Sequence, residues 1–398
     1  MASKKGKRAN GEGSIYKQSN GLWRGIISVG FKDDGSILRK TFSGKTKTEV
    51  ISKINAYKSD MSQGLIPSND NITLSEWFYS WLFIYKKNSL KASSFERYHG
   101  IYKNYIENST IGNKHLKDVK TLHIQEYYNK LKESGYTLSQ IKNLNKCLKS
   151  SLNLAINDGY IIVNPCKSVI LPSEYKIKSL DEIDKDGVIN AFTLDEQTLF
   201  IEACNKHKYG FYFIFLLNTG LRLGEFLALL DKDFNFNEKY VSVTKTLKDT
   251  YIFDENRNKK YAVLVQPPKT ESSIRKVPLS DKLIEKLEEY KINRNLLLIN
   301  PEDHNGSKPF FCTPMDTYLN NSNIRKVFKK ILSEAGLPNK FRVHDLRHTF
   351  ATRLFENGVS PKTVQKLLGH SKLETTMNIY THVMRDVQQE AINLIDIF

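Results

Sequence analysis

The rhythm of hydrophobic and polar residues changes several times along the 398-residue chain. Between Gly13 and Ser62 it is first two, then close to four. Trp23, Ile27, Val29 and Phe31 fall on one side of an extended segment, with Arg24, Ser28 and Lys32 on the other. Ser14 to Lys17 reads as a short strand before it, and Asn20-Gly21 as a turn. Asp33-Asp34-Gly35 reads as a hairpin turn and Ile37 to Phe42 as a third strand. Thr46 to Met61 reads as a helix with Val50, Ile54 and Tyr57 inward. A three-stranded sheet backed by one helix leaves a polar, basic sheet face, here Arg24, Ser28, Lys32 and Arg39. Such a face can enter a major groove.

Gly64 to Asp70 has the composition of a linker. Thr73-Leu74-Ser75-Glu76 is a capping box, and Trp77, Phe78, Trp81, Leu82 and Tyr85 follow as one apolar stripe, read as core. Further helices run from about Ser93 to Tyr105 and Thr121 to Ser134. Thr137-Leu138-Ser139-Gln140 caps a fourth, which ends at Asp158-Gly159. The outer faces are rich in lysine, and Lys86, Lys87, Lys91, Lys142 and Lys146 are candidates for phosphate contact. Leu171 to Asn190 has charges and little periodicity, and reads as a hinge.

Thr193-Leu194-Asp195-Glu196 caps the first helix of the C-terminal half, and Phe211 to Leu217 is a buried helix. Gly220 ends that helix and Arg222 stands at the head of the next, where backbone N–H groups attract an anion. Phe234 to Thr246 and Tyr261 to Gln266 read as strands, and Pro267 to Leu279 as a hairpin turn and return strand. Arg275 and Lys276 are read as strand-surface or phosphate-contact residues. Asp281 to Leu296 is an amphipathic helix, Pro301 to Thr313 a loop, and Ser322 to Ala335 a helix. Gly358 and Gly369 are helix stops, and Ser360-Pro361 restarts a helix between them. Leu373, Thr376, Met377 and Tyr380 step at helical spacing and put Tyr380 on an inner face. Val387, Ala391, Leu394, Ile395 and Phe398 form an apolar stripe on a final helix.

Charge narrows the partner. Sixty Lys and Arg against 43 Asp and Glu give a net charge of +17, which favours a polyanion. Cys147, Cys166, Cys204 and Cys312 lack close spacing, so they read as buried or free thiols in a reducing compartment and not as a zinc site. The apolar run from Phe211 to Leu217 is far too short for a membrane span. Met1 to Arg8 is basic without an apolar segment after it, which fits an arm over phosphate and not a signal peptide. A reducing compartment such as the cytoplasm is the expected location.

The chemistry concentrates near the C-terminus, in His344-Asp345-Leu346-Arg347-His348, Leu368-Gly369-His370 and Tyr380. His344 and Arg347 are three apart and share a helix face. A phosphodiester gathers negative charge on its free oxygens in a pentacoordinate transition state. A guanidinium meets that charge with a planar fork of donors. Histidines can hydrogen-bond the same oxygens or move a proton, and a tyrosine can form a covalent link. His344 and His348 also have the spacing of a zinc pair, but the residues between them are Asp-Leu-Arg, and a fixed guanidinium would repel the metal. His348 is read as a histidine satisfying core hydrogen bonds.

These C-terminal residues, together with Thr219-Gly220-Leu221-Arg222-Leu223-Gly224-Glu225, resemble the signature of the tyrosine recombinases, the phage integrase family. The resemblance implies six catalytic residues: Arg222, Lys269, His344, Arg347, His370 and the nucleophile Tyr380. It puts Lys269 on a β-hairpin as general acid for the leaving 5′ hydroxyl, with Glu225 orienting its neighbours. It implies a multidomain, mainly α fold with small β-sheets. The parts are an arm-type DNA-binding domain at 1–66, a helical core-binding domain of SAM-like type at 67–172, a linker at 173–191 and a mixed α+β catalytic domain at 192–398. It further implies no cofactor, no metal, double-stranded DNA with core and arm sites as partner, and a homotetramer that exchanges strands through a Holliday junction. An excisionase and a host DNA-bending protein are the expected accessory factors, and the C-terminal stripe is expected to dock on a neighbouring subunit. The rival readings are a Xer-like dimer resolvase, a type IB topoisomerase and a catalytically silent DNA-binding regulator.

Overall fold

The structure is a computed structural model and describes residues 14–31, 37–62, 72–172, 190–298 and 306–383. The basic tail, Lys32 with the turn at Asp33 to Gly35, the linker at Gly64 to Asp70, residues 173–189 and the stripe from Val387 to Phe398 lie outside them. The chain divides into two compact units, Met1–Tyr175 and Lys176–Phe398.

In the first unit, β1 (Ser14–Lys17), β2 (Trp23–Phe31) and β3 (Ile37–Gly44) form an antiparallel sheet in that order. Helix α1 (Lys47–Ser62) packs on one face, where Ile27, Val50, Ile54 and Tyr57 are buried with Trp23 and Val29 beside them. That is the face the period of two assigned inward. Gly25 sits under the helix: a Cβ there would lie 2.7 Å from both Ile54 and Val50 side chains. The opposite face carries Arg24, Ser28 and Arg39, and Ser28 pairs directly with Arg39 across β2 and β3.

The same unit contains α2 (Leu74–Ser80), α3 (Ala92–Ile101), α4 (Thr121–Glu133) and α5 (Leu138–Asn157). Both anticipated capping boxes form, Thr73 with Glu76 and Thr137 with Gln140. Helix α2 runs on into a π-helical turn at Trp81–Lys86, and α3 into another at Tyr102–Ile106. Trp77, Phe78, Trp81 and Leu82 are core, and the Trp77 indole donates to the Ser151 carbonyl at 3.0 Å. Tyr85 departs from the expected stripe. It is 42% exposed, and its hydroxyl donates to Asp158 at 2.6 Å. The π-helical turn shifts its phase away from the core. All four cysteines are free and buried.

The second unit opens with α6 (Leu194–Lys206), capped by Thr193 and Glu196, followed by α7 (Gly210–Thr219) and the short α8 (Leu223–Leu227). Strands β4 (Phe234–Asn235), β5 (Tyr240–Val243), β6 (Thr246–Phe253), β7 (Lys259–Gln266) and β8 (Arg275–Pro278) follow. The stretch read as one strand from Phe234 to Thr246 is broken. Asn235 accepts from the Glu238 amide, and Lys239 turns with φ 54°. Strand β8 is present as expected, but its partner is β5. The sheet order is β4-β5-β8, and β6 and β7 form a separate hairpin. Helices α9 (Asp281–Leu297), α10 (Asn321–Glu334), α11 (Val343–Glu356), α12 (Pro361–Leu368) and α13 (Leu373–Val383) complete the unit. Its core is aromatic, with Phe200, Phe213, Phe215, Phe226, Phe310, Phe311, Phe328 and Phe341 nearly inaccessible to solvent. Among the described residues, no helix is long and apolar enough to cross a membrane.

Candidate active site

Three chain reversals bring the candidate residues together. The first ends α7. Gly220 takes a left-handed conformation (φ 62°), and a Cβ there would lie 2.4 Å from Phe350 Cδ1. Two residues later Arg222 is the N-cap of α8. The Glu225 carboxylate accepts the Arg222 backbone N–H at 3.0 Å and Nη1 at 2.7 Å. The expected anion-attracting helix head is therefore modified: α8 has five residues, and Glu225 already occupies the Arg222 amide. Arg222 Nη2 reaches the Gly369 carbonyl at 3.3 Å, and the side chain keeps 36% of its surface exposed.

The second reversal starts α11, where Asp345 caps the Arg342 amide at 2.7 Å. One turn in, Arg347 is 2% exposed. Its Nη1 donates to the Gly220 carbonyl at 2.7 Å and its Nη2 to the Leu368 carbonyl at 2.6 Å. Burial and the neighbouring Arg222 press its pKa well below the ordinary arginine value. His344 lies at the exposed start of the same helix, edge to face with His348 at 4.8 Å. The residue keeps an exposed edge, but its ring leans on His348, and desolvation of that ring, then the positive charge of His348, Arg347 and Arg222, pushes His344 down to about 4. The expectation that His348 satisfies a core hydrogen bond is not met. Its Nδ1 is buried without a hydrogen-bond partner.

The third reversal ends α12 at Gly369 (φ 66°), which places His370 beside the arginines. His370 Nδ1 lies 2.9 Å from Thr376 Oγ1. Burial, then Arg347 and Arg222, pushes His370 down to about 3. Both histidines are therefore neutral imidazoles at physiological pH in the free protein. Arg222 and Arg347 converge on the carbonyls of Gly220, Leu368 and Gly369, and His344 and His370 lie near enough to both guanidinium groups to feel their charge.

Tyr380 and Lys269 share no hydrogen bond with these four among the described residues. Tyr380 is half-buried on α13, edge to face with Phe355 at 5.2 Å. The anticipated stripe is rotated: Thr376 and Ile379 are buried, whereas Leu373 is 43% exposed. Lys269 lies exposed in the bend after β7. In the N-terminal sheet, Ser28 and Arg39 are exposed and Arg24 is half-buried, and Lys32 is outside the described residues.

Two features escaped the sequence reading. Arg275 is not a surface residue: its side chain is 6% exposed and ion-paired with Glu225 at 3.0 Å. The signal was present, since Arg275 alternates with the buried Val277 on one face of β8. Burial by itself would raise the Glu225 pKa, but Arg275 and Arg222 bring it below the usual carboxylate value. The second feature is Thr376. Its inward position was legible, but its contact with His370 was not.

Residues 190–386 match the model of the phage integrase family, and residues 73–132 match its N-terminal SAM-like domain. The chain is 36% identical over 392 residues to a XerC-like tyrosine recombinase of Caldanaerobacter subterraneus subsp. tengcongensis, covering 96% of this chain and 98% of that protein. It is 26% identical to the transposase of transposon Tn916 from Enterococcus faecalis, over 71% of this chain and 67% of the relative. In fold it resembles the integrase of transposon Tn1549, solved with a circular intermediate DNA. The TM-score is 0.64 at 22% identity, covering 81% of this chain and 99% of the other. With the arginines and histidines arranged as described, the conclusion is that the chain belongs to the phage integrase family of tyrosine recombinases, site-specific enzymes that cleave and rejoin DNA.

Proposed function

We propose that this recombinase integrates and excises a mobile DNA element through a covalent link carried by Tyr380. The Tyr380 oxygen attacks the scissile phosphorus as its proton passes to the neutral imidazole of His344, a P–O bond forms, and the bond to the 5′ oxygen breaks. Lys269 gives a proton to that leaving oxygen. Arg222 and Arg347 neutralise the charge that builds on the two free phosphate oxygens, and His370 and His344 hydrogen-bond the same group. The 5′ hydroxyl of the partner duplex then attacks the 3′-phosphotyrosine and releases the enzyme. One phosphate ester replaces another of similar energy, so the cycle needs no nucleotide.

The observation that carries this reading is the pinning of Arg347, which is 2% exposed, to the carbonyls of Gly220 and Leu368 beside the partly open Arg222. A buried cation held by neutral carbonyls has few stabilising partners of its own. It is suited to an anion that arrives from outside. The neutral histidines fit the same role, because each retains a ring N–H that can donate to an oxygen.

In this reading residues 192–398 form the catalytic domain, 67–172 a core-binding domain and 1–66 an arm-binding domain, joined through 173–191. The exposed Ser28 and Arg39 are assigned to DNA contact with Arg24 and Lys32. Four subunits act on two duplexes through a Holliday junction, aided by an excisionase and a host DNA-bending protein, in the bacterial cytoplasm. The test is Tyr380→Phe on a nicked suicide substrate. Site binding should persist and the covalent adduct should vanish. An adduct at normal yield would move the nucleophile elsewhere.

The similarity to a XerC-like protein over nearly the whole chain favours a second reading, resolution of dimers. Recombination assays separate them. An integrase joins two different attachment sites, whereas a resolvase acts on a pair of identical ones.

A further inference from the structure

Arg275 stands behind the phosphate-facing residues, and its guanidinium is engaged by the protein itself. Nε donates to the Leu367 carbonyl at 2.6 Å, Nη1 to the Ser273 carbonyl at 3.0 Å and Nη2 to Glu225 Oε2 at 3.0 Å. The acceptors belong to three separate parts of the unit: the turn before β8, the helix α8 and the last turn of α12. Leu367 directly precedes Leu368 and Gly369, whose carbonyls hold Arg347 and Arg222. Arg275 therefore touches both supports of Arg222, its carboxylate partner and the helix end behind it.

Charge sharpens the point. Glu225 is 3% exposed and divides one negative charge between two guanidinium groups, Oε1 with Arg222 at 2.7 Å and Oε2 with Arg275 at 3.0 Å. With Arg275 removed, the whole carboxylate charge would fall to Arg222. Oε2 would keep only the Arg222 backbone N–H. A buried carboxylate short of partners draws its remaining cation closer, and the fork turns away from the solvent side where a phosphate arrives.

We propose that Arg275 is a positioning residue for Arg222. It shares Glu225 so that the Arg222 fork stays aimed, and incompletely neutralised, toward the scissile phosphate. This rests on the reading that Arg222 contacts that phosphate.

Arg275→Met, Arg275→Lys and Arg222→Ala, singly and combined, would be compared in single-turnover cleavage of a suicide substrate. DNA affinity and unfolding temperature would be measured alongside. Arg275→Met should slow adduct formation by about 10–100-fold with unchanged DNA affinity, the loss expected when a reacting group is displaced by roughly an ångström. Arg275→Lys should recover part of the rate, and it carries the comparison if the Met variant does not fold. In the Arg222→Ala background, loss of Arg275 should add little. On a substrate with one neutral methylphosphonate at the cleaved position, the deficit should shrink, because Arg222 there meets less charge. A deficit of the same size without Arg222, or on the neutral substrate, would reduce Arg275 to a general structural role. Weakened DNA binding with normal cleavage would make it a phosphate contact. Wild-type cleavage by both Arg275 variants would dismiss it altogether. Normal cleavage by Arg222→Ala would instead sink the phosphate role of Arg222, so the two failures are separable.

Discussion

Arg347 donates a 2.7 Å hydrogen bond to the Gly220 carbonyl across 127 residues of sequence. The bond ties the start of α11 to the end of α7, so one arginine is aimed by the turn that precedes the other. Aim of this kind matters because a transition state is stabilised most by donors that need no reorganisation. Gly220→Ala tests it. The new Cβ would meet Phe350 at 2.4 Å, and the residue would have to hold φ 62°. Stability should fall by about 1–3 kcal/mol in chemical denaturation, and cleavage should fall more than DNA binding. Unchanged cleavage would mean the turn need not be fixed for the arginines to work.

The contact between His370 and Thr376 gives a second expectation. Thr376 is fully buried, and its hydroxyl lies 2.9 Å from His370 Nδ1. A hydroxyl that donates to Nδ1 leaves the proton on Nε2, where it can serve a phosphate oxygen. Thr376→Val keeps the shape and removes the hydroxyl. It should cost about 1–3 kcal/mol, the penalty for leaving a buried imidazole nitrogen unpaired, and should slow cleavage. Thr376→Ser should restore both. If Thr376→Val matches the parent in denaturation and cleavage, the hydroxyl does not set the tautomer.

The acid side of the stability profile follows from the same histidines. His344 sits at about 4 and His370 at about 3 in the folded chain, against an ordinary imidazole value of about 6.5. As pH falls below about 6.5, the unfolded chain takes up protons that the folded chain refuses. The stabilisation is therefore complete above that value and is lost as pH falls through the folded values. Glu225, also held low, acts in the same direction. His370→Gln should flatten the fall in unfolding free energy between about pH 6.5 and pH 4. An unchanged slope in urea melts across that range would show that His370 is not held neutral.

What could be read from the sequence was mostly local. A capping box needs residues three apart, and Thr73 with Glu76 and Thr193 with Glu196 formed where expected. A left-handed helix end needs one glycine, and Gly220 and Gly369 supplied it. Arg222, Arg347, His344 and His370 were read from short motifs, Thr219 to Glu225, His344 to His348 and Leu368 to His370, that resemble the family signature. The errors were in partners distant along the chain. Nothing near β8 says that it pairs with β5, 36 residues earlier by the register of Val277 with Val241, and not with β7. The burial of Arg275 follows from that pairing, because it turns the residue toward Glu225. Leu373 was misjudged for a related reason. The apolar spacing on α13 allows two phases, and packing against Phe355 selects the one that buries Ile379.

The N-terminal sheet yields the last expectation. Its apolar face is closed by α1, and its other face presents Ser28 and Arg39 to solvent. If that face grips an arm site remote from the cleavage point, its loss should separate two activities that share the catalytic unit. Removal of residues before about Ser68 should leave cleavage of a core-site suicide substrate near the parent rate and sharply reduce integration of a full attachment site. Arg39→Glu should reproduce the integration defect in milder form, since one reversed charge weakens phosphate contact without removing the sheet. It should also lower the salt dependence of arm-site binding by a slope of about one per lost contact. Integration at full efficiency by the truncated chain would remove the arm-site role. Loss of core-site cleavage would instead show that the sheet supports catalysis directly.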